Sequence, residues 1–394
     1  MTHTTASPIR IAIVRWLILP ATVLLFLCSL LVLLSAPTET LWTVAIIMGE
    51  WGHYAAVVSL LFAVVAIGAG RRGRATALLA ALTAVICISP TVRGFAISRS
   101  LPGRCSAAFG GNSVDAKPLD LLVLFAGRAQ NGVTVTEHRY AKLKGKSLRF
   151  DLYRSSSATE PQPLVVMIHG GSWNGGGKSQ LPAINRYLAT RGYTVAAINY
   201  RLTPKWKSPA PVDDVFGAIE FMRTNAAQLG IDATRIVLIG RSAGGQIALS
   251  AAYSGRDAAI RGVVSFYAPT DLVLGYAKPS RRSILDSKAV LEAYLGGPPA
   301  QTLDAYVVAS PVQHINETTP PTLLIHGELD PIVWSAHSEL LSARLKGARR
   351  PELYLKLPWA THGCDANLSG PSGQLSVYAI ERFLAAVFSD DATP

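Results

Sequence analysis

A chain of 394 residues with a net charge of +12 is long enough to hold more than one domain. The first 110 residues carry eight arginines and two acidic residues in an otherwise apolar segment. The remaining basic residues are scattered and form no stripe interleaved with aromatic side chains, so nucleic acid is not an expected partner. No Cys-x-x-Cys or His-x-His spacing is present, and the sequence therefore predicts neither a metal site nor a bound cofactor.

Three apolar stretches open the chain, at residues 11–35, 51–70 and 75–92. Each is close to the roughly 20 residues that a membrane-spanning helix needs. The first is too long for the apolar part of a signal peptide, and no small-residue cleavage site follows it. We therefore interpret residues 1–98 as a membrane region of three transmembrane helices, with the lipid bilayer as an expected partner.

The charges between these stretches predict an orientation. The second and third stretches are joined by RRGR, residues 71–74, whereas the preceding hairpin contains Glu39 and no basic residue. The positive-inside rule then places RRGR in the cytoplasm and everything after the third helix outside the cytoplasmic membrane. Arg93, Arg99 and Arg104 follow the third stretch and favour the opposite orientation.

Two ionisable residues lie in the second stretch. Glu50 and His53 are three residues apart, so on a helix they share a face. Ionisable groups at membrane depth are functional candidates. The neighbouring Trp51 and Tyr54 favour the other interpretation, an aromatic anchor at the membrane interface.

The remainder of the chain has the pattern of an α/β domain. Residues 99–132 are rich in Pro, Gly, Ser and Asn and are predicted to be a linker. From residue 133 short β-branched runs alternate with helical stretches, which is typical of a mostly parallel sheet with helices on both faces. We expect this domain over residues 133–390, with a cap insertion at about 271–319.

One strand of this pattern runs directly into a catalytic motif. The strand RIVLI is followed by GRSAGG, residues 240–245, and then by the helical stretch QIALSAAYS. This is G-x-S-x-G between a strand and a helix, the context in which the serine is a nucleophile. The sequence therefore predicts Ser242 as the nucleophile.

A serine hydroxyl needs a base to take its proton and an acid to orient that base. Asp330 follows the strand PTLLIHG, and His362 follows the strand ELYLKL. Both positions are carboxyl ends of strands, where open α/β sheets hold their sites. Asp271, after the preceding strand, is an alternative acid, while His326 is interpreted as a packed strand residue and His337 as a surface residue.

A loop for stabilising negative charge follows another strand. LVVMI leads into HGGSW, residues 169–173, whose glycines let the backbone approach a substrate oxygen. The expected donors of this oxyanion hole are the N–H groups of Gly171, Ser172 and Ala243. His169 and Gly170 are expected to support the loop.

Two of the four cysteines, Cys105 and Cys364, lie outside the predicted transmembrane helices. An oxidising compartment would allow a disulfide between them, and two unpaired thiols are the alternative. Cys364 stands two residues after His362 in WATHGCD, so a disulfide would tie the histidine loop to the linker.

The motifs HGGSW, GRSAGG, HGELD and THG, in this order, resemble the α/β-hydrolase superfamily. The similarity is to its esterase/lipase branch of hormone-sensitive-lipase-like and feruloyl-esterase-like carboxylesterases, over residues 135–388. It implies hydrolysis of a small-molecule or lipid ester through an acyl-enzyme, with no cofactor. Ser172 and Trp173 stand where many lipase-like members have a third glycine, a pattern similar to small carboxylesterases and kynurenine formamidase-like amidases. Amide hydrolysis, acyl transfer and a non-catalytic membrane scaffold remain alternatives.

Overall fold

The computed structural model describes three ranges of the chain, residues 8–110, 117–143 and 145–389. Three long helices come first: α1 (Pro8–Val32), α2 (Glu39–Ile67) and α3 (Gly70–Phe109). Each is long and apolar enough to cross a membrane. The prediction of three apolar N-terminal helices is therefore confirmed.

Helix α2 begins well before the apolar stretch that predicts it. Thr38 is its N-cap, and its hydroxyl oxygen accepts a hydrogen bond from the N–H of Leu41 at 3.4 Å. Glu39 lies in the first turn, where the helix dipole favours a carboxylate. Residues 44–49, VAIIMG, are apolar as well, so the apolar segment of this helix starts earlier than predicted.

Helix α3 continues to Phe109, so residues 99–109 are helical and differ from the predicted linker. Leu101, Cys105 and Phe109 recur at every fourth position and therefore share one helix face. Leu101 and Cys105 are buried, and the ring of Phe109 lies 4.9 Å from the ring of Phe383 in the α/β domain. The proline and glycine content of this segment predicts a loop, but its packing against the α/β domain stabilises a helix.

The α/β domain is built on one eight-stranded sheet within the described residues. Its strands are β1 (Val133–Leu143), β2 (Lys146–Ser155), β3 (Gln162–Ile168), β4 (Thr194–Ile198), β5 (Ile231–Arg241), β6 (Ile260–Phe266), β7 (Thr322–Gly327) and β8 (Glu352–Leu357). Their order is β1-β2-β4-β3-β5-β6-β7-β8. β1 and β2 pair antiparallel, β2 pairs antiparallel with β4, and the strands from β4 to β8 run parallel. The predicted mostly parallel sheet is confirmed.

Shorter helices cover this sheet. They are α4 (Leu121–Ala126), α5 (Ala183–Thr190), α6 (Ala210–Thr224), α7 (Ala226–Leu229), α8 (Ala243–Tyr253), α9 (Leu272–Ala277), α10 (Ser287–Leu295), α11 (Pro299–Val308), α12 (Ala336–Gly347) and α13 (Pro371–Val387). Helices α9 to α11 occupy the insertion between β6 and β7.

The central strands are apolar on both faces because helices cover both. In β3, Leu164, Val166 and Ile168 enter one core cluster with α6 and α8, while Val165 and Met167 enter the other with α5 and α13. Successive strand residues point to opposite faces, so this split follows from the pleat. Because these strands are parallel, their carboxyl ends lie at one common edge of the sheet. The loops after β3, β5, β6, β7 and β8 meet at this edge.

Glu50 and His53 face the α/β domain, and both are buried. The Glu50 carboxylate accepts a hydrogen bond from the N–H of Ser372 at 3.2 Å. His53 Nε2 lies 3.1 Å from the carbonyl oxygen of Leu124. Glu50 and His53 thus pack against protein, while the neighbouring Trp51 and Tyr54 stay exposed, so an aromatic anchor of these two residues at the membrane interface stays a prediction.

Candidate active site

Ser242 stands on a strained turn between β5 and α8. Its φ of 52° and ψ of −122° are unusual for a residue with a side chain. A Cβ on Gly240 would collide with the carbonyl oxygen of Gly244, and one on Gly244 with the carbonyl oxygen of His169. Glycines are therefore required on both sides of Ser242, as in a nucleophile elbow.

The structure brings His362 and Asp330 into contact behind this turn. His362 Nδ1 donates a hydrogen bond of 2.7 Å to Asp330 Oδ2. The other carboxylate oxygen accepts the N–H groups of Ile332 at 2.8 Å and Val333 at 2.9 Å. Both carboxylate oxygens are thus occupied, which fixes the orientation of the imidazole.

The Asp330 carboxylate is buried and remains ionised. Burial by itself would raise its pKa, but the electrostatic effect of the neighbouring His362 and hydrogen bonds from His326 and His362 outweigh it. The pKa of Asp330 is held well below its usual range. His326 therefore does more than pack in β7, because its Nε2 lies 3.2 Å from Asp330 Oδ2.

Two other predicted positions have different roles. Asp271 is the N-cap of α9 and accepts the N–H of Leu274 at 2.9 Å, so its carboxylate is engaged away from His362. The interpretation of His337 as a surface residue is wrong, because α12 turns it inward and only 3% of it is exposed. Burial lowers the pKa of His337 to about 3, so its imidazole is neutral at pH 7.

The loop after β3 presents free backbone donors beside Ser242. A Cβ on Gly170 would lie 3.3 Å from that of Ser242, which measures how closely the loop approaches. Gly171 has a φ of 118° and Ser172 a φ of 52°, so the backbone turns sharply here. Within the described residues, the N–H groups of Gly171, Ser172 and Ala243 have no hydrogen-bond acceptor. They are therefore available to a substrate oxygen.

His169 holds this loop in place. Its Nδ1 donates to the carbonyl oxygen of Gly170 at 2.7 Å, and its ring stacks on Tyr200 at 4.2 Å. Burial lowers the pKa of His169 to about 4. A neutral imidazole whose Nδ1 proton is engaged in this way supports the loop and carries no charge at pH 7.

Two cavities meet at Ser242. The inner cavity has a volume of about 50 Å³ and is lined by Ser172, Trp173, Ser242, Ala243, Pro269, Gly275, Lys278, Ser280, Leu285, Ser287, Val290, Leu291, Ile332, Val333, Trp334 and His337. The outer cavity has a volume of about 420 Å³ on the same measure and is lined by Glu39, Trp42, Ile46, Gly170, Gly171, Ser172, Gln180, Leu181, Arg241, Ser242, Tyr267, Ile284, Leu285, Ile332, His362, Gly363 and Ala366. His362 belongs to the outer cavity.

Helix α2 forms part of the wall of the outer cavity. Trp42 Nε1 donates a hydrogen bond of 2.8 Å to the carbonyl oxygen of His362. A Cβ on Gly363 would lie 3.3 Å from Ile46. Sequence reasoning missed this contribution, because no local signal connects residues that are more than 300 positions apart.

A buried ion pair joins the turn of Ser242 to the loop of His362. Arg241 Nε donates to Asp365, whose carboxylate also accepts the hydroxyl of Tyr267. Arg241 precedes Ser242, and Asp365 stands three residues after His362. Because each charged residue lies close in sequence to a predicted catalytic residue, an ion pair between Arg241 and Asp365 could have been predicted from the sequence. In WATHGCD, His362 and Asp365 thus have separate partners and form no joint metal site.

Of the two alternatives for Cys105 and Cys364, a disulfide or two unpaired thiols, the structure has the second, with both cysteines free. Each is about 1% exposed and packs in a core cluster of the α/β domain. Burial raises the pKa of the Cys364 thiol above its usual range. Both cysteines therefore behave as small apolar side chains.

The chain resembles known esterases in sequence. A family model described as BD-FAE matches residues 150–345. The chain is 27% identical over 299 residues to the probable carboxylic ester hydrolase LipM of Mycobacterium tuberculosis, an alignment that covers 72% of this chain and 67% of LipM. It is 30% identical to the esterase LipC of the same organism, over 59% of this chain and 60% of LipC. The alignment with LipC thus spans less than two thirds of that relative.

Solved structures agree on the fold. A bacterial heroin esterase superposes with a TM-score of 0.56 at 22% identity, covering 74% of this chain and 92% of that one. An esterase of Pyrobaculum calidifontis gives a TM-score of 0.55 at 23% identity with the same coverage. The chain therefore has the fold of α/β-hydrolase esterases and is similar in sequence to carboxylic ester hydrolases.

Proposed function

We propose that this chain is a membrane-anchored serine hydrolase that cleaves carboxylic esters through Ser242, His362 and Asp330. The outer cavity carries the proposal, because Ser242 and His362 both line it while Asp330 binds His362 from behind. A hydroxyl, an imidazole and a buried carboxylate in this arrangement are the groups that acyl transfer from an ester requires.

The first half of the reaction acylates Ser242. Because Asp330 accepts the N–H at Nδ1 of His362, Nε2 is left with its lone pair to take the proton of the Ser242 hydroxyl. Ser242 Oγ attacks the ester carbonyl carbon, and the carbonyl oxygen gains a negative charge. The N–H groups of Gly171, Ser172 and Ala243 stabilise that oxyanion, each contributing about 3 kcal/mol.

Acylation is complete when the alcohol leaves, and hydrolysis of the acyl-enzyme then follows. The bond between the carbonyl carbon and the alcohol oxygen breaks, and His362 gives its proton to the departing alcohol. A water molecule then loses a proton to His362 and attacks the acyl carbon. The bond to Ser242 Oγ breaks, Ser242 recovers its proton from His362, and the carboxylic acid leaves.

The three N-terminal helices support membrane anchoring. They contain 25, 29 and 40 residues, whereas about 20 residues suffice to cross the apolar core of a bilayer. Large apolar side chains stay exposed on faces that the α/β domain does not cover, among them Leu60, Leu61 and Leu78. A lipid environment removes these side chains from water.

The packing also supports an extracytoplasmic α/β domain. This domain contacts the end of α2 that begins at Glu39, through Trp42 and Glu50. Arg71, Arg72 and Arg74 lie at the opposite end of α2, between it and α3. The positive-inside rule assigns the arginine end to the cytoplasm and therefore the α/β domain to the other side.

Hydrolysis of p-nitrophenyl acetate by the purified full chain tests the proposal. Ser242→Ala should lower kcat on the order of 10³-fold or more, because the nucleophile is lost. Ser156→Ala is the matched control, since Ser156 is exposed in a turn after β2. Equal activity of the Ser242→Ala variant and the wild type would refute the proposed nucleophile.

A further inference from the structure

The chemistry of the triad assigns the two cavities to the two halves of an ester. His362 must protonate the alcohol oxygen as it leaves, so that oxygen lies within hydrogen-bond reach of His362. Ser242 and Ser172 line both cavities, whereas His362 is among the lining residues of the outer cavity alone. The alcohol half of the substrate therefore occupies the outer cavity, and the acyl half occupies the inner cavity.

The inner cavity is narrow and has rigid walls. Its volume of about 50 Å³ compares with about 420 Å³ for the outer cavity on the same measure. The ring of Trp173 stacks on Tyr294 at 4.4 Å, and its Nε1 donates to Gln246 at 2.9 Å, which fixes one wall. Val290 and Leu291 of the cap form another wall. The smaller volume favours a short acyl chain over a fatty acyl chain.

The outer cavity borders the membrane helices. Glu39, Trp42 and Ile46 line it from the first turns of α2. The next turn of the same helix exposes Ile47 and Trp51, apolar side chains at the height where α2 enters the bilayer. The outer cavity and this exposed apolar surface thus lie on consecutive turns of one helix.

From these two observations we propose a substrate class: a short-chain acyl ester, such as an acetate, of an alcohol that is itself a membrane lipid. The apolar part of the lipid stays in the bilayer beside α2 while its acyl group enters the inner cavity. This assignment rests on the proposed ester hydrolysis and adds which half of the ester is short and which half is lipid.

The test uses the full chain reconstituted in phosphatidylcholine vesicles. One probe is 1,2-dioleoyl-3-acetylglycerol, which carries a short and two long acyl groups on one lipid alcohol. We expect acetate release to exceed oleate release by about tenfold or more, because the inner cavity rejects the oleoyl chain. Oleate release equal to acetate release would overturn the substrate class.

A soluble ester separates this proposal from the proposed function. p-Nitrophenyl acetate tests ester hydrolysis with no lipid alcohol. Cleavage of p-nitrophenyl acetate without acetate release from the lipid would overturn the substrate class and leave the hydrolase standing. Failure to cleave either ester would overturn both.

Two substitutions test the cavity assignments separately. Val290→Ala widens the inner cavity, so the preference for p-nitrophenyl hexanoate over acetate should rise about fivefold. Ile46→Ala removes apolar contact from the outer cavity, so KM for the acetylated lipid should rise about fivefold more than KM for p-nitrophenyl acetate. Leu60→Ala is the control on α2, since Leu60 is exposed and lines neither cavity. Unchanged ratios in the first two variants would overturn the assignment.

Discussion

At the scale of single residues, Asp330 decides whether His362 can act as a base. The carboxylate accepts from His362 Nδ1 on one oxygen and from two backbone N–H groups on the other. An imidazole held in this way keeps its proton on Nδ1 and leaves Nε2 free for Ser242. The orientation of one ring thus depends on one buried carboxylate.

Asp330→Asn should lower kcat for p-nitrophenyl acetate by about 10⁴-fold, because an amide N–H facing Nδ1 favours the wrong tautomer of His362. Steady-state kinetics of the purified variant measures the loss. Asp271→Asn is the matched control, since Asn caps a helix about as well as Asp and should leave activity and stability near the wild type. A larger loss in the Asp271 variant than in the Asp330 variant would identify Asp271 as the acid.

Site residues that directly follow a strand could be predicted from the sequence. Site residues that belong to a distant part of the chain could not. Ser242, Asp330 and His362 each follow a strand with a recognisable apolar run, so their shared edge was predictable. Trp42 reaches the site from a helix at the other end of the chain. The contact of Trp42 depends on how α2 packs against the α/β domain, and the periodicity of apolar residues does not predict that packing.

At the scale of elements, the backbone of the turn between β5 and α8 is strained at Ser242. The turn can form because the glycines beside Ser242 have no side chains that would collide with the neighbouring backbone. Gly244 lies directly against the backbone of His169, so α8 and the loop after β3 touch without an intervening side chain. This contact sets the distance between the free N–H of Ala243 and those of Gly171 and Ser172. The geometry of the oxyanion hole is therefore a property of two elements in contact.

Gly244→Ala should destabilise the fold by about 2–3 kcal/mol and reduce activity, because its Cβ would collide with the backbone of Ile168 and His169. Thermal unfolding and hydrolysis of p-nitrophenyl acetate measure the two effects. Gly217→Ala in α6 is the control. Its Cβ would meet Tyr140 at 4.0 Å, an ordinary contact, and alanine favours a helix by about 0.5–1 kcal/mol. Equal unfolding temperatures for the two variants would contradict the predicted collision.

The elements also show where prediction from the sequence stops. The parallel strands were predictable because helices cover both faces and leave unbroken apolar runs such as LVVMI. The end of α3 was not predictable, because its packing on α13 outweighs the proline and the glycine that follow Ile97 within the helix. Tertiary contacts, rather than local propensity, fix that boundary.

At the scale of the whole molecule, the membrane helices and the α/β domain pack as one structure. Leu101 and Cys105 of α3 are buried in the core of the α/β domain. Arg104 donates to the carbonyl oxygen of Tyr354 in β8 at 2.6 Å, and Asn367 donates to that of Glu50 in α2 at 3.2 Å. The position of the candidate site relative to the three N-terminal helices therefore follows from packing.

The proposed orientation predicts which surfaces meet the medium outside a cell. Arg72 and Ser157 are both exposed, and they lie at the arginine end of α2 and on the α/β domain. In spheroplasts, a membrane-impermeant maleimide should label Ser157→Cys directly and Arg72→Cys only after permeabilisation. The native cysteines of the α/β domain are buried and give a low background. The reverse labelling pattern would place the domain in the cytoplasm.

Covalent labelling by a fluorophosphonate tests the central claim, an activated serine at position 242, most directly. The probe reacts with a serine hydroxyl whose proton is taken by a neighbouring base, and its adduct is located by peptide mass spectrometry. We predict one adduct, on the peptide that contains Ser242, which disappears in Ser242→Ala and persists in Ser156→Ala. A full chain that takes up no label, or labels equally after Ser242→Ala, would contradict the assignment of Ser242, His362 and Asp330 as a catalytic triad.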